Sequence, residues 1–283
     1  MLLALALLVP WAGRAQDDDL MSHGELLFSA GGMNYIGDLN GQSAISIPNL
    51  AYTVGVRYQY DPRWEIRGEL TLGSVQSGDK DAIPLRNLSF KSNLTELAGI
   101  VEFNFVPYGS GKGGGVWTPF IFGGLALFHF NPMAKHTAAD GSEQWVALRP
   151  LHTEGQGSKQ YPDREPYFLY QVSMPFGVGV KCRLGKTFSI SAEYGFRKTW
   201  TDYLDDVSKT YVEASVLRAN AQDGELAVSM ADRSGEANPG YTNAPGIKRG
   251  DDSLDDWYAY FHLTIGISLE TMLGWTRSKR CKL

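Results

Sequence analysis

Most residue patterns that mark chemistry are scarce in this chain. Two cysteines, Cys182 and Cys281, stand in 283 residues with no CxxC pair, which excludes a zinc ribbon or a disulfide-dense scaffold. Histidines number five and are scattered, so no metal-ligand spacing emerges. The net charge of −5 comes without a basic stripe interleaved with aromatics, and this argues against a nucleic-acid partner. The glycine-rich GSGKGGG at 109–115 lacks the spacing of a phosphate loop and precedes a strand pattern instead of a helix, so it reads as a turn. Ser268 and His262 share a strand face but lie about 20 Å apart at strand rise, too far for nucleophile and base. Neither catalytic residues nor a cofactor is expected, and no small-molecule substrate is indicated.

Long apolar runs are missing too. The opening MLLALALLVPWAGRAQ is too short to span a bilayer as a helix and carries small residues before Gln16, as an export signal does. Residues 1–15 are therefore expected to be a cleaved signal peptide, and 16–283 a single domain. Further along no apolar run approaches 18 residues, so a membrane crossing would have to use strands.

Strict period-2 alternation is abundant. It is clear at 50–60, 64–73, 171–181, 187–197 and 260–269, and noisier at 25–36, 94–105 and 117–130. These eight segments are joined alternately by short and long links, which puts every long loop at one end. The fold class expected is all-β: an eight-stranded antiparallel outer-membrane β-barrel with short periplasmic turns and long extracellular loops. Its polar face carries Arg57, Glu65, Arg67, Glu69, Glu96, Glu102, Lys181, Glu193 and Arg197, which would form a charge network filling a narrow lumen. His129 and His262 would face the same interior. Trp64, Trp117 and Trp275 fall at the short-turn end, with Trp200 and Trp257 at the long-loop end, as two aromatic girdles would. A soluble ligand-binding barrel, apolar face inward, is the competing arrangement.

Cys182 and Cys281 both fall toward the short-turn rim, where a disulfide or two unpaired thiols stay open as readings. The tail 274–283 carries Arg277, Lys279, Arg280 and Lys282, candidates for periplasmic contact with an acidic partner or lipid headgroups. The longest link, 198–256, holds 12 acidic residues against six basic ones and is expected to be a solvated acidic loop. At its base Asp202, Asp205 and Asp206 sit where strand seven regains water. They are expected to anchor the loop in one of three ways: pairing with Arg197 or Lys198, capping a helical turn over 203–208, or holding a divalent cation.

Five phrases of the sequence resemble one family: GGMNYIGDLN (31–40), FGGLALFHFNP (122–132), LHTEGQG (151–157), QVSMPFGVGVK (171–181) and YGFRKTWTDYLDDVS (194–208). They resemble the PorG family of Bacteroidetes outer-membrane proteins. That resemblance implies a non-enzymatic structural part of the type IX protein secretion and gliding motility machinery. Its implied partners are outer-membrane lipid and periplasmic ring proteins of PorK and PorN type. A stand-alone adhesin working through its long loops is the alternative.

Overall fold

The computed structural model describes residues 23–39, 49–79, 83, 85–109, 114–138 and 140–272. Among the described residues are nine strands: β1 (Gly24–Ile36), β2 (Asn49–Gln59), β3 (Trp64–Gly78), β4 (Ser89–Asn104), β5 (Trp117–Thr137), β6 (Glu143–Ala147), β7 (Tyr170–Leu184), β8 (Phe188–Thr199) and β9 (Trp257–Ser268). Eight of them close into an antiparallel barrel: β1 pairs with both β2 and β9, and β5 bridges β4 to β7. Closure leaves those eight without an open edge. The ninth, β6, is a five-residue addition paired to the outer end of β5, inside a link expected to be loop.

Period-2 alternation places the side chains, and the interior of the barrel is the charged face. Every barrel strand turns large apolar residues outward; Leu125 is 64% exposed and Leu97 61%. A soluble barrel would leave far less contiguous apolar exterior. Alternation holds along β5, but its inward residues are apolar: Phe120 and Phe122 pack with Ala98, Ile100 and Ala126, and farther up Phe128 and Phe130 point inward while His129 points outward. The reason lies in the packing: the long-loop half of the interior is an aromatic and aliphatic core of Met33, Tyr35, Phe90, Phe128, Phe130 and Tyr260, continuous with the loops above it. His129 therefore does not reach the lumen as its spacing suggested; it packs against Tyr170 on the outside.

The short-turn end is made by 60–63, 105–109 with 114–116, and 185–187. The turn after β4 folds underneath the barrel. Tyr108 is buried there, with its backbone oxygen accepting from Gln59 (2.6 Å) and its ring beneath Lys181 and Arg183. At the other end the long links are not slack. Link 200–256 contains α1 (Ala214–Asn220), α2 (Gly224–Ala231) and α3 (Ser234–Ala237). Asp223 caps α2 by accepting from the Leu226 amide at 3.1 Å, a local satisfaction of an orphan helix donor. Leu217, Ala227 and Met230 pack with Ala134, Leu148, Leu151 and Val212 into a second apolar cluster. The result is a folded cap over the barrel mouth, where a solvated acidic loop had been expected.

Candidate functional site: the cap and the charged interior

In the lumen, all nine expected charges are buried and neighbour one another. Arg67 is the centre, with Nη1 donating to Glu193 Oε1 at 2.6 Å, Nη1 at 2.9 Å from Glu102, and Nε at 3.2 Å from Glu69. Lys181 lies between Glu65 and Glu102. Arg57 reaches Glu25 at 3.0 Å, a lumen member the alternation reading left out. Arg197 faces Glu96 at 3.4 Å, and the Tyr258 hydroxyl donates to the same carboxylate. His262 Nε2 stands 3.1 Å from Glu193, while its Nδ1 has no hydrogen-bonding hydroxyl or thiol. Six glutamates against four permanent cations make a network that fills its space; buried charges so paired hold the walls together, and removing one strands its partner.

The cap is chemically different. Three of the phrases singled out in the sequence converge in it: Tyr35 and Asp38 from the first, Thr153 and Glu154 from the third, Asp205 and Asp206 from the last. Asp205 and Asp206 are fully buried. Asp206 accepts from Thr153 (2.5 Å) and Tyr167 (2.7 Å), and its backbone is left-handed at φ 68°, a conformation that costs about 1 kcal/mol or more for a non-glycine residue. Glu154 is a hub. Its carboxylate takes the amides of Ser208 and Lys209 and, at 3.0 Å, the Arg249 guanidinium. Arg249 in turn donates to the Asp206 and Ala231 carbonyls, pinning α2 to the barrel mouth.

The seam between the first and last strands carries the most telling arrangement. Tyr35 Oη lies 2.7 Å from Asp205 Oδ2 and 2.7 Å from Asp256 Oδ1. A phenol has one proton and can donate to only one carboxylate. The other carboxyl must supply its own proton, so the trio holds together as one acid, one carboxylate and one phenol. Burial, and then the neighbouring carboxylates, agree with that count. Desolvation pushes Asp205 up to about 8 against the Tyr35 and Val207 hydrogen bonds, and raises Asp256 well above the ordinary carboxylate range, with Asp205 adding to it. Asp206 is pushed up to about 6 by burial, held back by Arg249. Gly37 is required beside this clasp, because a Cβ there would overlap Asp256 Oδ1 and Tyr35 Oη.

These contacts correct the expectations for the aspartates. Asp205 and Asp206 do not regain water; they are sealed under the cap. Their partners are tyrosines, a threonine and Arg249, since Arg197 is engaged with Glu96 inside and Lys198 pairs with Asp255 at 3.5 Å. No helical turn forms over 203–208. Asp202 is half-buried and pushed up to about 8 by burial. Among the described residues no group of three His, Cys, Asp or Glu is gathered as a metal site requires. The partners that make the cap were invisible in the sequence because they lie up to 221 positions apart.

Other expected positions fall as follows. Trp64 and Trp117 are exposed at the short-turn end; Trp200 is exposed and Trp257 half-buried at the long-loop end. Cys182 is a free thiol among the outward residues of β7, between Trp117 and Ile190. Residues 1–15, Trp275, Cys281 and the basic Arg277, Lys279, Arg280 and Lys282 lie outside the described residues.

Comparison with known proteins adds the following. The family model of a domain of unknown function, DUF6089, matches residues 13–149, just under half of the chain. No curated protein matches. Among solved structures, the chain is similar to the attachment invasion locus protein Ail of Yersinia pestis. That match has 8% identity and a TM-score of 0.40, covering 87% of this chain and 97% of that one. OprG of Pseudomonas aeruginosa gives 9%, 0.38, 88% and 99%. The outer membrane enzyme PagL gives 10%, 0.32, 85% and 97%. At such identities and scores the barrel assignment rests on the strand pairing itself.

Proposed function

We propose that this protein is an integral outer-membrane barrel that works by holding a position and binding partners, without catalysis or conduction. The observation that carries this reading is the inversion of the barrel: contiguous apolar side chains outside, a closed ionic network inside. Hydrocarbon is the surroundings in which that inversion costs nothing. Filling at both ends supports the absence of transport, since Tyr108 sits beneath the lumen and the cap covers its top.

The finer reading is that the barrel is a structural component of the type IX secretion and gliding machinery, engaging a periplasmic ring of PorK and PorN type through its short turns and basic tail. The resemblance of its five phrases to the PorG family supports it, and three of those phrases build the cap. Membrane fractionation tests the location: recovery in the soluble fraction would refute it. A tagged, folded barrel extracted in detergent should carry the ring proteins with it, and their repeated absence would sink the partner assignment. The alternative, a surface adhesin, draws support from the cap being a folded, outward surface. Deleting 214–237 should leave ring recovery intact in the scaffold reading and abolish function in the adhesin reading.

A further inference from the structure

One side of the barrel rises above the rest. The β3–β4 ladder continues to Gly78 and Ser89, whereas the β2–β3 ladder ends at Tyr52 and Leu72. With β5 and β6 these strands form a four-stranded blade whose inner face, with Val75, Phe90, Phe130 and Ala134, holds the cap. The outer face continues the lipid-facing wall upward, but its chemistry changes abruptly. Along the register, the row of Leu70, Leu97 and Leu127 is followed by Leu72, Thr95 and His129, then by Ser74, Asn93 and Asn131, then by Gln76, Lys91 and Met133. Lys91 is grouped there with Lys135 and Trp145, which pair with each other farther up the blade.

That last group has a distinctive form. Trp145 is 48% exposed, and the Nζ atoms of Lys91 and Lys135 each lie 5.8 Å from its ring centroid. Lys135 also pairs with Glu143 at 2.7 Å. Two ammoniums beside one exposed indole, with the Glu143 carboxylate, Met133 and several amides and hydroxyls around them, fit a phosphorylated sugar: the sugar packs on the exposed apolar surface and the lysines meet the phosphate. Height decides which lipid could supply it. Lys91 is six residues above Leu97, roughly 20 Å along the strand and about 15 Å along the membrane normal at a tilt near 40°. Phospholipid headgroups reach only about 5–8 Å beyond the hydrocarbon. The patch therefore lies above phospholipid phosphates, at the level of a glycolipid's saccharide.

We propose that the outer face of the β4–β5–β6 blade, centred on Lys91, Trp145 and Lys135, binds the phosphorylated saccharide of an outer-leaflet glycolipid. The inference rests on the membrane reading given above. Its test uses the full chain, folded in a zwitterionic detergent and immobilised, and titrated with three probes: purified lipopolysaccharide, the same material dephosphorylated, and phosphatidylglycerol. Lipopolysaccharide should bind, with both other probes at least roughly tenfold weaker, the loss of charge-assisted contacts. The double variant K91E/K135E should lose the same factor, whereas K248E on the cap should bind like the parent. W145A should weaken the dephosphorylated probe further. K91Q/K135Q serves if the glutamate variant misfolds. Unchanged binding by the lysine variants, or equal binding of phosphatidylglycerol, would overturn the assignment. A barrel that fractionates as soluble would instead refute the membrane reading, a result these titrations do not share.

Discussion

The lumen and the cap both bury carboxylates at high density, yet they neutralise them by opposite means. In the lumen, glutamates meet guanidinium and ammonium groups. In the cap, Asp205, Asp206, Asp256 and Glu154 share one arginine, Arg249, and are otherwise satisfied by phenols, hydroxyls, backbone amides and a retained proton. The lesson is one of permanence. Opposite charges in contact hold a wall by mutual attraction, while a proton-dependent knot is stable only where that proton stays.

Four experiments can break this contrast or sharpen it. Arg67→Met should have the largest effect, because Glu193, Glu102 and Glu69 lose their common cation; a loss of about 3–5 kcal/mol of barrel stability is expected in detergent unfolding. Gly37→Ala should act on the cap alone. Overlap with Asp256 and Tyr35 should cost about 1–3 kcal/mol, seen as faster proteolysis within 200–256 while the barrel's own unfolding midpoint holds. Tyr35→Phe should cost the cap about 1–2 kcal/mol, because it leaves two buried carboxyls without their shared hydroxyl.

Response to pH should be the subtlest difference. The folded-state values of Asp205 and Asp206 lie above the unfolded value of about 4, so the folded cap binds the extra protons. Their contribution is fully present below that unfolded value and is lost as pH rises through about 6 for Asp206 and about 8 for Asp205. Amide hydrogen exchange in 200–256 should therefore quicken from pH 5 to pH 9 after correction for the intrinsic rate. Asp256→Asn, whose amide mimics the protonated acid, should flatten the upper part of that rise; an unaltered profile would show that no proton is shared.

The barrel was legible in the sequence because each strand states its own two faces every second residue, and eight such statements need no partner to be read. Reading failed where an inward position was aromatic instead of charged, as at Phe128 and Phe130, because composition then no longer separates the faces. Five residues of β6 were too few to show a period. The cap was legible only as words: TEGQG and TDYLDDVS stood out, but nothing local says that Glu154 receives the amide of Ser208 or that Asp205 meets Tyr35. Such contacts belong to the closed chain and have no periodicity. Charge count misled in the same way, since 12 acidic residues in one link look solvated until their hydroxyl partners elsewhere are known.

The clasp sits where the chain's beginning meets its end. Tyr35 closes β1, Asp256 opens β9, and the two strands are neighbours only after the barrel has shut. A chain with an open seam cannot bring them together, so it cannot seat Asp205 or hold the cap down. This clasp of the cap is thus complete only on a closed cylinder, which ties the outward surface to the integrity of the seam.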